Sequence, residues 1–181
     1  MYGLVNQAIK DLVLERFGAS KWGEICSGAS CSTEDFELMR SYPDAVTYGL
    51  VGSASRVLSV DAGLLLEQFG EYWIRFTAEK GYGELLRLFG KDFQSCLKNL
   101  NHMHARMGAM MPELQPPRFM VEEESPGKLL LKYYSKRPGL APMVVGLLRG
   151  LAHRHGNEVA IVHHARQEGQ DHECFSITIH S

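Results

Sequence analysis

Three prolines between Met111 and Arg118 divide this chain into two regimes of hydrophobic period. A proline cannot continue a helix, so the cluster Pro112, Pro116 and Pro117 ends whatever helix precedes it. Before the cluster the apolar residues recur at helical spacing, and after it period-two segments appear. Val5, Ile9, Leu12, Val13 and Phe17 predict a first helix, with a stop at Gly18 and a new apolar face from Trp22 and Ile25. Ser32 or Thr33 is expected to cap a short helix through Phe36 and Met39. Further helices are expected over 44–58, over 61–69 with an end near Gly70, and over 92–110. Residues 71–77 continue apolar, Gly81 and Gly83 interrupt, and 85–89 resumes. Past the prolines, 118–123 and 128–134 read as a hairpin around Ser125-Pro126-Gly127. Pro138 and Gly139 close its second strand; 141–153 reads as an apolar helix, and 158–165 and 174–180 as two more strands. The expected class is α+β: an N-terminal helical lobe and a C-terminal lobe with an antiparallel sheet of about four strands and packed helices.

A length of 181 residues suits one domain, or two small lobes sharing a core. With 45% hydrophobic and 22% charged residues, the chain has enough apolar material to fold and is not a disordered polymer. A net charge of -2 provides no basic footprint for nucleic acid. The apolar runs are too short to span a bilayer. The opening MYGLVNQAIKDLVLERF soon carries charge and lacks a small-residue cleavage site, so no membrane partner is implied and the cytoplasm is the expected location. Cys26, Cys31, Cys96 and Cys174 form no CxxC pair and no compact disulfide framework, and free thiols are expected.

Chemistry concentrates in two places. Phe93, Leu97, Leu100, His104, Met107 and Met111 follow one another at three- and four-residue steps, which puts His104 inside an apolar stripe. His102 falls near the opposite face. A buried imidazole needs a partner; a core hydrogen bond supplies one, and haem iron is another. Met103, Met107, Met110 and Met111 suit a plain core or the lining of a flat apolar ligand equally. The second place is Tyr133-Tyr134-Ser135-Lys136-Arg137. In a strand Tyr133, Ser135 and Arg137 share a face, and a phenol, a hydroxyl and a guanidinium together suit a dicarboxylate. Tyr134 faces the other way. Six of the eight histidines follow residue 150. His153 and His155 end a helix, His163 and His164 alternate faces, and His172 with Cys174 lacks the cysteine cluster a zinc site would need.

Taken together, these segments resemble the haem nitric oxide/oxygen binding (H-NOX) domain family, which includes the sensor domain of soluble guanylate cyclase and bacterial gas sensors. The resemblance runs over the whole chain: MYGLVNQAI at the start, GEYW at 70–73, HARMG at 104–108, LQPPRF at 114–119, YYSKR at 133–137, GLAPMVVGLL at 139–148 and the late GQDHECFSI. It looks especially close to cyanobacterial members. The resemblance implies a ferrous protoporphyrin haem (haem b) between a distal lobe, 1–62, and a proximal lobe, 63–181. It implies His104 as the iron ligand, Tyr133, Ser135 and Arg137 as holders of the propionates, and Pro117 as the residue that presses the porphyrin out of plane. Leu100 is placed among the cofactor contacts, and Val5, Trp73 and Met143 on the distal side. Family members that bind oxygen carry a tyrosine five residues after the motif arginine; here that position is Pro142. The implied function is a non-enzymatic sensor that binds NO and CO and discriminates against O2. When NO binds, the iron–His104 bond weakens or breaks, the haem relaxes and the lobes shift. The output is a histidine kinase, a diguanylate cyclase or a guanylate cyclase, separate or fused. A peroxidase- or oxygenase-like haem enzyme and an O2-binding haem protein are the alternatives, the latter because the Trp73 indole carries an N–H.

Overall fold

A computed structural model describes residues 1–32, 34–77, 88 and 90–180. The expected break at Gly81 and Gly83 lies outside the described residues, as does all of 85–89 except Leu88. The chain opens with α1 (Gly3–Ala29), α2 (Asp44–Leu58) and α3 (Ala62–Thr77). α4 (Phe93–Lys98) and α5 (Leu100–Met110) follow, then β1 (Arg118–Ser125), β2 (Lys128–Tyr134), α6 (Ala141–Arg154), β3 (Glu158–His164) and β4 (Glu173–His180). The expected α+β arrangement is what the structure has.

α1 bends at Gly18, whose φ of 80° and ψ of 173° leave the helical region, so the anticipated stop is a kink inside one long element. The short helix expected from Ser32 through Met39 does not form. Its backbone instead serves the start of α1, with Gly3 N–H donating to the Arg40 carbonyl at 2.8 Å and Leu4 N–H to Leu38 at 3.0 Å. Helix N-termini leave such N–H groups without intrahelical partners, and this loop supplies the acceptors. Tyr2 and Ser41 add a single antiparallel bridge.

Gly70 does not end a helix either; α3 runs through it. A Cβ on Gly70 would come within 2.7 Å of the Leu147 nitrogen, and one on Gly146 would come within 2.8 Å of the Glu67 carbonyl carbon. These glycines let α3 and α6 meet backbone to backbone. The single helix expected over 92–110 is divided at Asn99, which sits at φ -96°, ψ 0°. Asp92 caps α4 in a reciprocal box with Ser95, and the Asn99 N–H is shared among the last carbonyls of α4. Asparagine competes poorly for a helix interior, so the break falls there.

The sheet is antiparallel throughout, in the order β1-β2-β4-β3, with Leu131 opposite Val121 on one side and Phe175 on the other. Leu129, Leu131 and Tyr133 alternate inward along β2, and Phe175 and Ile177 do so along β4. Two apolar clusters result. One joins α1, α2 and α3 around Ile9, Leu50, Phe69 and Phe76, and Met111 reaches it from the end of α5. The other packs α4 and α6 on the sheet through Phe93, Leu97, Val144, Leu148 and Phe175. α5 contributes no fully buried residue to either.

Candidate functional site

Both clusters open on one cavity of about 700 Å³, well within the size range of cofactor sites. Leu4, Val5 and Ile9 reach it from α1, Phe69 and Trp73 from α3, and Met143 and Leu147 from α6. The other wall holds Leu97, Leu100, His104 and Met107, with Pro117 and Phe119 just beyond the prolines. Tyr133, Ser135 and Arg137 complete it, so every site residue expected from the sequence borders this one space.

His104 stands on α5 with its ring centroid 5.9 Å from that of Phe119. Its Nδ1 is buried and has no hydrogen-bond partner among the described residues. Burial pushes the imidazole down from its ordinary value, and the Pro117 main chain counters only part of that. The ring is therefore neutral at pH 7, the form able to ligate a metal. Asn101 fastens α5 to the sheet: its Nδ2 donates to the Phe119 carbonyl at 2.6 Å, and its Oδ1 accepts from the Phe119 N–H at 2.9 Å. Nothing in the spacing of the sequence signals this role for Asn101.

The Y-x-S-x-R side chains converge for a different reason than strand alternation. β2 ends at Tyr134, and Ser135 and Arg137 lie in the turn that follows. Ser135 Oγ accepts from the Arg137 N–H at 3.0 Å and donates to its carbonyl at 3.2 Å, which closes the turn on the Arg137 main chain. Tyr133 is buried, which raises its phenol, while the Ser135 hydroxyl partly offsets the shift. Tyr134 packs against the Arg118 guanidinium and the His172 ring.

Arg137 already has a carboxylate partner. Nε and Nη2 reach the two oxygens of Asp44 at 2.7 and 3.3 Å, and Nη1 donates to the Gln115 carbonyl at 2.6 Å. Asp44 also accepts from the N-terminal ammonium of Met1 at 2.6 Å. Arg137 first, and the terminal ammonium after it, hold the Asp44 carboxyl below the usual range despite some desolvation. Three of the five guanidinium N–H groups are thus engaged, and two remain for another anion. In the sequence Asp44 has no mark beyond being the first residue of a helix.

Pro142 is not among the residues that line the cavity. It sits in the first turn of α6 and faces Gly63, where a Cβ would be 3.6 Å from its Cγ. Among the hydroxyls that line the cavity, Thr47 donates to Asn6 Oδ1, Tyr48 to the Pro138 carbonyl and Thr77 to the Trp73 and Ile74 carbonyls, while those of Tyr2 and Tyr42 accept from the Glu113 and Glu37 N–H groups. Among the described residues, no group of three His, Cys, Asp or Glu side chains is arranged to hold a metal ion by itself. His172 bonds to Asp171 and His163 to Glu173, while His164 reaches Ser176.

An apolar cavity wall, a neutral imidazole with an unpartnered nitrogen and a cationic-hydroxyl rim fit the three needs of a haem: an apolar macrocycle, an iron ligand and two propionates. His104 would hold the iron, and Tyr133, Ser135 and Arg137 the propionates.

Comparison with known proteins agrees. Residues 2–163 match the family model described as Haem-NO-binding. Soluble guanylate cyclase gcy-35 of Caenorhabditis elegans is 32% identical over 184 residues, covering 99% of this chain and 26% of that protein. The chain thus spans about a quarter of the length of the first curated relatives it matches. The H-NOX protein from S. oneidensis in the Fe(II)NO ligation state superimposes with a TM-score of 0.89 at 21% identity, covering 100% of both chains. The Fe(II) unliganded H-NOX protein from K. algicida gives 0.87 at 23%, covering 100% of this chain and 97% of that one. These bacterial sources are not cyanobacteria, so the cyanobacterial likeness expected from the sequence is not carried forward. The fold, the cavity and the matched span together place the chain in the Haem-NO-binding, or H-NOX, family of haem-based gas-sensor domains.

Proposed function

We propose that this chain binds haem b through His104 and senses NO, also taking CO, while discriminating against O2. The observation that carries the reading is the meeting of His104, with its orphaned buried Nδ1, and the Tyr133–Ser135–Arg137 rim on one apolar cavity. Ferrous haem supplies an open coordination position that takes NO and CO strongly, but O2 well only where a donor meets its partial negative charge. The chain's own residues bear on that choice. A hydroxyl has one proton to donate, and those of Thr47, Tyr48 and Thr77 are already given to protein acceptors. Val5 and Met143 have none, which leaves the Trp73 indole as the N–H donor of the expected distal trio.

His104 is also placed to report what happens above it. α5 is short, separated from α4 by the Asn99 break and free of fully buried residues, so few contacts resist its displacement. Asn101 ties any such movement to Phe119 at the start of β1, and the Tyr2 hydroxyl accepts from Glu113 N–H just beyond α5. Loss or weakening of the His104 tether therefore reaches both lobes. The curated relatives are named soluble guanylate cyclases, which supports a signalling enzyme as the output. A guanylate cyclase, a diguanylate cyclase or a histidine kinase, fused or separate, fits this reading, and the cytoplasm is its proposed location.

Substituting His104 by Gly tests it. The variant is expected to lose stable haem binding and to regain it when imidazole is added to the buffer. Unchanged haem retention with an unchanged ferrous spectrum would overturn the assignment. In the wild type, ferrous spectra are expected to change on adding NO or CO and to show no oxy complex under air; a stable oxy spectrum would favour the O2-binding alternative.

A further inference from the structure

Two thiols meet at the C-terminal end of α1, away from the cavity lining. Ser30 adopts the left-handed conformation at φ 54°, ψ 41°, and the Cys31 N–H donates to the Cys26 carbonyl at 3.0 Å. That is the six-to-one bond of a Schellman ending, a turn in which the side chains at these two positions commonly pack together. In this chain both positions are cysteine. Cys31 packs against the cluster that contains Cys26, and its nearness is one of the causes that push the Cys26 thiol up. Cys26 is 1% exposed, and Cys31 is partly open to solvent.

We propose that Cys26 and Cys31 form a redox modification site, a dithiol that closes reversibly to an intrachain disulfide by exchange with a low-molecular-weight disulfide such as oxidised glutathione. The contact geometry orders the steps. Cys31 is the more accessible sulfur and reacts first, because exchange proceeds through an exposed thiolate. Cys26 stays protonated meanwhile, pushed up to about 12 by burial and by the neighbouring Cys31. The Cys31 thiolate attacks one glutathione sulfur, the glutathione S–S bond breaks, and one glutathione thiolate leaves. Cys26 then loses its proton, attacks the Cys31 sulfur and expels the second glutathione. Two protein thiols are oxidised by two electrons, and one glutathione disulfide is reduced to two thiols, which take up the protons. Closure needs little chain movement, since the Schellman turn already holds the partners together.

The site is readable without any gas or haem signal. Lys21 and Arg40 bound one tryptic peptide, 22–40, that contains both cysteines and no other. Haem-loaded full-length protein would be incubated with oxidised glutathione, blocked with N-ethylmaleimide and digested without reduction. Peptide 22–40 is expected to lose two hydrogens and carry no maleimide, and dithiothreitol before blocking should restore two maleimides. Cys31→Ser should leave Cys26 reduced, and Cys26→Ser should trap glutathione on Cys31. Should Cys26→Ser fail to fold, Cys26→Ala gives the same readout. The proposal is overturned if wild-type peptide 22–40 retains two maleimides while Cys174 is glutathionylated, or if it accumulates glutathione on Cys31 without closing.

Discussion

The Arg137–Asp44 pair shows how one residue can hold another in readiness. Arg137 is kept in the cavity wall by a carboxylate from α2, and Asp44 is in turn shared with the terminal ammonium. The Asp44 side chain is 37% exposed, so solvent screens the pair and its worth is small, about 0.5 kcal/mol for a contact of this kind. Asp44→Asn is therefore expected to lower the unfolding free energy of the haem-free protein only slightly at pH 7. The sign follows from the depressed carboxyl: the contribution is fully present above the ordinary value of 3.8 and is lost as pH falls through the lower folded value. Urea titrations of wild type and variant should differ at pH 7 and converge under acid. A difference that grew on acidification would contradict the pairing. Arg137→Ala is expected to speed haem loss relative to wild type, which transfer to a haem-scavenging globin would measure.

At the level of elements, the crossing of α3 and α6 depends on glycines in both. Gly146 abuts the Glu67 backbone, and Gly70 abuts the backbone of α6 near Leu147. Backbone cannot move aside as a flexible side chain can, so Gly146→Ala must push the helices apart. The expected cost is about 2 kcal/mol, the usual scale for overpacking, read as a lower unfolding midpoint. A midpoint equal to the wild type would show that the helices do not meet this closely. Gly18→Ala acts differently, because a φ of 80° disfavours any side chain although nothing crowds it; its expected cost is about 1 kcal/mol. α5 presents the opposite case, with few buried contacts to hold it. Its amides are expected to exchange with solvent faster than those of α6, and haem binding should slow them, since His104 would then anchor the helix. Hydrogen-exchange mass spectrometry on haem-free and haem-loaded protein would show whether protection gained at 100–110 exceeds that gained at 141–154.

The whole molecule is two apolar clusters facing one cavity. The order of helices and strands, the antiparallel hairpins and the stripe carrying His104 follow from local periodicity and turn chemistry, which neighbouring residues settle among themselves. For that reason the Pro-rich boundary, the limits of α2 and the span of β2 were all legible before folding was considered. The YxSxR triad was legible as well, though through the wrong geometry, since its residues converge by a turn and not along a strand. Other features rest on partners far away in the chain. Gly70 reads as a helix end until α6 is laid across it, and the segment after Ser32 reads as a helix until its carbonyls are claimed by α1. Asp44 reads as an ordinary first-turn acid until Arg137 arrives from 93 residues away. Local propensity is worth tenths of a kilocalorie per residue, so where a distant backbone contact or ion pair competes with it, folding follows the contact and no local reading of the chain can anticipate the outcome.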